Sequence, residues 1–363
     1  MSGAPGPTQT NPEGAALLGS VRSDFGRIAA SIAAPAVGAV AGLALGAILI
    51  MLSGANPIAA YRSLALGALG GTRQLTDTIL ETTPLLIMGL GLMVAFRSRA
   101  WNIGGAGQFY IGALCGILVG LAFQGSWPAY ALIPAMLVAG AAGGALWAGI
   151  AAFLKVSRGI NEIITTLMLN YIAEFLVLYL ARGPLREQGS YLPQSAQLVG
   201  PARMPTLPGS QLHLGILIAI IFIPATFLLL WRTPLGFRLR AIGSNQGAAR
   251  YAGMSVAAGI GAALLISGAL AGLTGIIQVS ALYPRLKDGI AADYGFTGIL
   301  VALLGRLTPV GVAISAFFFA ALTIGAEAMQ TRNGLPNSIA EVIQALVVLL
   351  VLAGDALARY RRK

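Results

Sequence analysis

Apolar runs close to a membrane span in length, separated by short polar turns, repeat along almost the whole of this chain. A hydrocarbon layer about 30 Å thick takes roughly 20 apolar residues as helix, because lipid offers no partner to an unsatisfied backbone group. On that basis the pattern predicts spans near Ile28–Leu52, Leu75–Phe96, Phe109–Phe123, Tyr130–Leu154, Glu162–Leu180, Leu212–Trp231, Ala257–Leu282, Tyr294–Leu304, Val310–Met329 and Ile339–Leu352. The residue-by-residue alternation that an outer-membrane barrel needs is absent. The expected fold is all-α: a polytopic membrane helical bundle of about ten transmembrane helices, with both termini on one side.

Two stretches do not fit ordinary spans. Ala100–Gln108 reads AWNIGGAGQ, and Tyr294–Arg306 is apolar but about half a membrane thick. Both are expected to be broken or re-entrant helices. Irregular backbone at membrane depth survives only where it is buried in protein or lines a wet cavity, so such breaks point to a pathway. The scattered Gly and Ala of the other helices need no more than close helix packing. At the first break Asn102 and Gln108 add polar groups that packing does not require, with Trp101 and Phe109 as aromatic neighbours. A second polar set lies in NEIITTLMLNYIAEF, where Glu162, Thr166 and Asn170 recur every four residues and fall within an arc of about 80° on a helix. Glu174 extends the stripe. Burying these groups against lipid is costly, so the face points inward, to a neighbouring helix or to an aqueous route. Thr166 and Asn170 lie deeper and are read as route-lining. Glu162 sits near Arg158 and is placed either for a pair with a loop Arg or for a transport role. Glu81, Glu327 and Glu341 are read as helix-end acids.

Composition agrees with the pattern. The chain is 57% hydrophobic and 10% charged, with 48 glycines and a mean hydropathy of +0.81, far from a soluble domain. Its net charge of +11 is topogenic: fifteen of the 23 Lys and Arg residues fall on the side given to the cytoplasm, and both termini with them. Nucleic acid is therefore not an expected partner. Residues 1–27 read as a disordered tail, 28–356 as the membrane domain with a long periplasmic loop over 182–211, and 357–363 as a basic cytoplasmic tail. Cys115 lies in an apolar run and is read as core packing, and His213 as an exposed or interfacial side chain at the mouth of a helix.

Enzyme chemistry has no site here. A P-loop needs Lys followed by Ser or Thr, whereas Lys155 precedes Val, Lys287 precedes Asp and Lys363 closes the sequence. There is no HExxH pair and no GxSxG elbow, and no constellation of Ser or Cys with histidine is expected, since the one histidine lies in an exposed loop context. No cofactor and no metal are expected on this chain.

Several motifs together resemble one family. NEIITTLMLNYIA, WNIGGAGQ, LRAIGSNQGAARYAGMSV, SGALAGLTGIIQVS and TGILVALLGRLTPVG, in that family's order from about Leu75 to Leu352, are similar to the permease subunits of bacterial ABC importers for simple sugars and nucleosides. NEIITTLMLNYIA resembles the longer of the paired permeases of nucleoside systems. The resemblance implies a cytoplasmic-membrane subunit that pairs with a second permease, takes solute from an extracytoplasmic binding protein and docks a separate ATPase. It further implies that the basic stretch 233–256 is the coupling loop: Gln246, Gly247, Ala248, Ala249 and Gly253 match a short loop helix with a low surface, entered through Arg240 and Gly243. Gly247 departs from the better helix formers common there, loosening that helix by up to about 1 kcal/mol. The implied mechanism is alternating access for a neutral solute, a nucleoside first and a simple sugar second. An ion-driven carrier or channel is the alternative, and it would need Glu162 or Glu174 as an essential acid.

Overall fold

A computed structural model describes residues 37–189, 191–287, 289–291 and 294–360. The tail expected over 1–27, the start of the first span and residues 361–363 lie outside the described residues. Every described regular element is helical: α1 Val37–Leu52, α2 Pro57–Leu69, α3 Thr72–Arg97, α4 Gly105–Phe123, α5 Ala129–Arg158, α6 Glu162–Arg182, α7 Gly215–Arg232, α8 Pro234–Ser244, α9 Gln246–Tyr251, α10 Val256–Ala281, α11 Tyr294–Leu304, α12 Pro309–Asn333 and α13 Asn337–Tyr360.

Each predicted span has a helix among the described residues, but not all ten reach membrane length there. Among the described residues seven helices are long and apolar enough to cross a membrane, or eight if α1 and α2 form one bent span. The eleven-residue α11 is half a span, as its length predicts. Three boundaries differ from the expectation. α2 has no counterpart among the predicted spans, because Arg62, Ser63 and Gly67 interrupt a run of only 13 residues. α4 begins at Gly105, so Gln108 belongs to its first turn and not to the break. α13 runs to Tyr360, past the expected start of the basic tail at 357.

The chain forms two compact units, one holding α1 and α13, the other Ile58–Gly334. In the first, Gly38 and Gly42 of α1 lie directly on the backbone of α13 at Leu350 and Val347. In the second, α3 and α10 are the most enclosed helices, while α5, α6 and α7 turn large apolar side chains outward, among them Leu146, Phe153, Ile164, Phe175, Ile221 and Leu228. Lipid is the natural cover for such a surface. Between lipid-embedded helices no hydrophobic force favours contact, so close approach through small residues supplies the packing. α4, α5 and α10 meet in this way at Gly112, Gly140, Gly144, Gly268 and Gly272, each set against the backbone of a neighbouring helix.

The described residues between α6 and α7 form a cover. Its Ser195 amide donates to Leu286 O (2.9 Å), Leu198 N to Pro284 O (2.8 Å) and Met204 N to Ser280 O (3.0 Å), and Leu198 and Ala202 are fully buried. Arg285 grips Glu187 in a bidentate pair at 2.7 and 3.0 Å, which holds the Glu187 carboxyl below the usual carboxylate range.

His213 overturns the exposed reading. It is 1% exposed, its Nδ1 accepts from Gly215 N at 3.1 Å, and its Nε2 has no partner. Burial pushes its pKa down to about 4 from 6.5. The unfolded chain gains a proton on His213 as pH falls through 6.5 and the folded chain does not, so this contribution is complete above pH 6.5 and is lost between 6.5 and 4. Acidification over that window is expected to remove about 3 kcal/mol of stability. Unfolding midpoints in detergent, compared between the wild type and His213→Phe, measure it; an identical pH slope in both contradicts the assignment.

Candidate translocation and coupling sites

The first break is a stretch of non-helical chain, Ser98–Gly104, that leaves the end of α3 and enters the interior. Arg99 takes the left-handed region at φ 56° to make the turn. Asn102 then reaches Ser267, the twelfth of the 26 residues of α10, so α4 starts halfway along its neighbour. Backbone at that depth must be satisfied side chain by side chain. Asn102 and Gln108 bond reciprocally through their amides at 2.8 and 2.9 Å, and Asn102 also donates to Ser267 Oγ at 2.9 Å. Asn102 Oδ1 accepts from Gly104 N.

Two residues of α6 complete the fastening. Thr166 Oγ1 accepts from Ile103 N at 3.1 Å while donating to Glu162 O at 2.7 Å. Asn170 donates to Ile103 O at 2.9 Å and accepts from Gly107 N at 2.8 Å, capping one of the amides that the first turn of α4 leaves open. The structure thus brings Asn102, Gln108, Thr166 and Asn170 into one buried network. Asn170→Leu keeps the volume but strands the buried Gly107 amide and the part-buried Ile103 carbonyl, an expected loss of about 2–5 kcal/mol to be read from thermal unfolding in detergent. A change below about 1 kcal/mol contradicts that role.

The remaining sequence-flagged side chains sit apart from this network. Trp101 is 42% exposed and leans on Phe96 at 5.0 Å. Phe109 is fully buried and stacks on Tyr294 at 5.9 Å. Glu162 pairs with Lys155 at 2.7 Å, a lysine where an arginine was expected, because both residues flank the tight α5–α6 turn.

The segment 233–256 folds into the paired helices α8 and α9. Thr233 caps α8 through Gly236 N, Asn245 caps α9 through Ala248 N, and Ser255 caps α10. The α8 inner face is anchored by Leu239 and Ile242, both fully buried. Gly243 lies on Arg97 O, where a side chain would collide. Arg97 and Arg240 both lie over the Trp231 ring, at 5.1 and 5.8 Å, and Arg97 Nε donates to Leu307 O at 2.8 Å. One cluster therefore ties α8 to the end of α7, the α3 break and the α11–α12 turn.

Within α9, Ala249 is 4% exposed and packs inward. Gly253 takes φ 77° and closes the helix with Met254 N→Ala249 O and Gly253 N→Arg250 O bonds at 3.0 Å each, a Schellman closure that wants glycine. Gln246 is half-buried and Ala248 is exposed. Exposed with Ala248 are two aromatics that the sequence reading did not single out, Phe237 of α8 at 55% and Tyr251 of α9 at 97% exposure. Large apolar rings in an otherwise basic interruption were the available signal.

These features define a polytopic helical membrane protein with a non-helical stretch beside the middle of α10 and a folded inter-span unit. The chain belongs to the family described as branched-chain amino acid transport system / permease component, which matches residues 74–352. It is 36% identical to the glucose ABC transporter permease protein of Haloferax volcanii, over 90% of this chain and 88% of that one. It is 36% identical to the guanosine ABC transporter permease protein of Bacillus subtilis, over 89% and 93%, and 31% identical to a nucleoside ABC transporter permease protein of Lactococcus lactis, over 87% and 89%. No solved structure matches the chain.

Proposed function

We propose that this chain is the membrane-spanning permease subunit of an ATP-driven importer of the bacterial cytoplasmic membrane, passing a nucleoside, or a simple sugar, by alternating access. Its partners in this reading are a separate ABC ATPase, a second permease and an extracytoplasmic binding protein. Both termini and the α8–α9 unit face the cytoplasm, where the excess of Lys and Arg belongs. The observation that carries the reading is the α8–α9 unit: a capped pair of helices with Phe237, Ala248 and Tyr251 exposed, rooted through Arg240 and Gly243 in the α3 break. A push on that unit reaches Trp231, Arg97 and the α11–α12 turn without passing through a flexible link. Asn102, Gln108, Thr166 and Asn170, with Trp101 and Phe109, frame the broken helices along which the route runs. Amide and hydroxyl groups without strong charge suit a neutral solute.

Reconstitution tests this directly. With its ATPase, second permease and binding protein in proteoliposomes, the chain is expected to take up labelled nucleoside only when ATP is supplied. Alone it is expected to move nothing under a proton or sodium gradient. Uptake by the isolated chain under such a gradient overturns the reading in favour of an ion-driven carrier.

A further inference from the structure

A second polar constellation, sharing no hydrogen bond with the Asn102 network, lies where the start of α11 packs on the start of α4. Gln278 of α10 is fully buried; its Nε2 donates to Tyr294 Oη at 2.9 Å, and Tyr294 Oη donates to Glu81 Oε2 of α3 at 3.0 Å. The direction of these bonds fixes the amide. A carboxylate only accepts, so the tyrosine proton points to Glu81, the tyrosine oxygen must accept, and Gln278 must turn its NH₂ toward it. Gln278 Oε1 is then aimed the other way, buried and without a partner. A buried amide oxygen left open is uncommon enough to require a cause. Phe109, stacked on Tyr294, holds the tyrosine in register.

We infer that Gln278, Tyr294 and Glu81 form a solute-contact site, in which Gln278 Oε1 accepts a hydroxyl of a neutral sugar ring, either a free sugar or the ribose of a nucleoside. The inference rests on the permease reading and deepens it. Tyr294 opens the half-helix α11, and Gln278 is sealed in this conformation, so solute meets the open oxygen when the Gln278–Tyr294 contact parts. Glu81 beside it sets the charge: phosphate esters are repelled, and uncharged hydroxyl donors are accepted.

The test uses the reconstituted complex with a ribonucleoside, its 2′,3′-dideoxy analogue and its 5′-monophosphate, and in parallel glucose with its deoxy analogues. ATP-driven uptake by the wild type identifies the cargo arm, and its absence in every arm defeats the permease reading and this inference with it. In the active arm Gln278→Met is expected to slow uptake of the hydroxylated solute roughly three- to tenfold, the worth of one hydrogen bond. The deoxy analogue is unaffected, so the preference collapses. Tyr294→Phe, which frees the amide to rotate, is expected to reduce the preference in the same direction. Glu81→Gln is expected to admit the monophosphate. A fall shared equally by hydroxylated and deoxy solutes marks a purely structural glutamine and overturns the inference, as does an unchanged preference in both variants.

Discussion

Gly272→Val is expected to leave little folded protein in detergent, with a loss of at least about 3 kcal/mol. A Cβ built at Gly272 falls on the Gly140 carbonyl and within 2.8 Å of Gly144 N and Cα, and the glycine itself fills the space opposite Gly112. All of these neighbours are backbone, which cannot rotate aside as a flexible side chain would. Relief therefore requires α4, α5 and α10 to separate, and in lipid no hydrophobic gain offsets the lost contact. Gly261 is the internal control: it lies on the same helix with nothing within 4 Å of its Cβ position. Gly261→Ala is expected to raise stability by up to about 1 kcal/mol through helix propensity. Unfolding midpoints of the two variants decide it, and a wild-type midpoint for Gly272→Val contradicts the packing argument.

The contrast between those two glycines explains what could be read in advance. Apolar length located the spans, since a run such as that in α10 has one physical solution in lipid. It could not say which of its glycines touches another helix, because Gly112, Gly140 and Gly272 meet only after three spans have crossed. The break at Trp101 was legible because Asn102 and Gln108 are surplus to packing. Their reciprocal bond and its fastening by Thr166 and Asn170 were not, because Ile103 and Asn170 are 67 positions apart in sequence. Gln278 reads as one polar residue in an apolar run, and Glu81 as a helix-end acid. Only the placement of α11 puts Tyr294 between them. His213 misled for the same reason: a helix mouth reads as surface until the 183–214 segment is laid over it.

The coupling segment carries the other large expected effect. Ala249, a natural choice for a charge insertion, is buried, so Ala249→Arg would confuse docking with folding. Ala248 is exposed, and its amide stays capped by Asn245 at 3.0 Å whatever its side chain. Ala248→Arg is therefore expected to leave the fold intact and abolish ATP-driven uptake, because a partner surface shaped to a methyl group must desolvate a guanidinium with no assigned counter-charge. Tyr251→Ala, removing a ring that is 97% exposed in the free chain, is expected to weaken ATPase binding by about 2 kcal/mol, the usual scale of an aromatic anchor. Co-purification of the ATPase, with unfolding midpoints as the control, reads both. The rooted side of the same unit behaves differently: Trp231→Leu removes the ring under Arg97 and Arg240 but touches no docking residue. It is expected to retain the ATPase while uptake falls and ATP hydrolysis no longer responds to the loaded binding protein. Retention of transport by Trp231→Leu would detach the α8–α9 unit from the α3 break, and full ATPase binding by Ala248→Arg would move the docking face elsewhere.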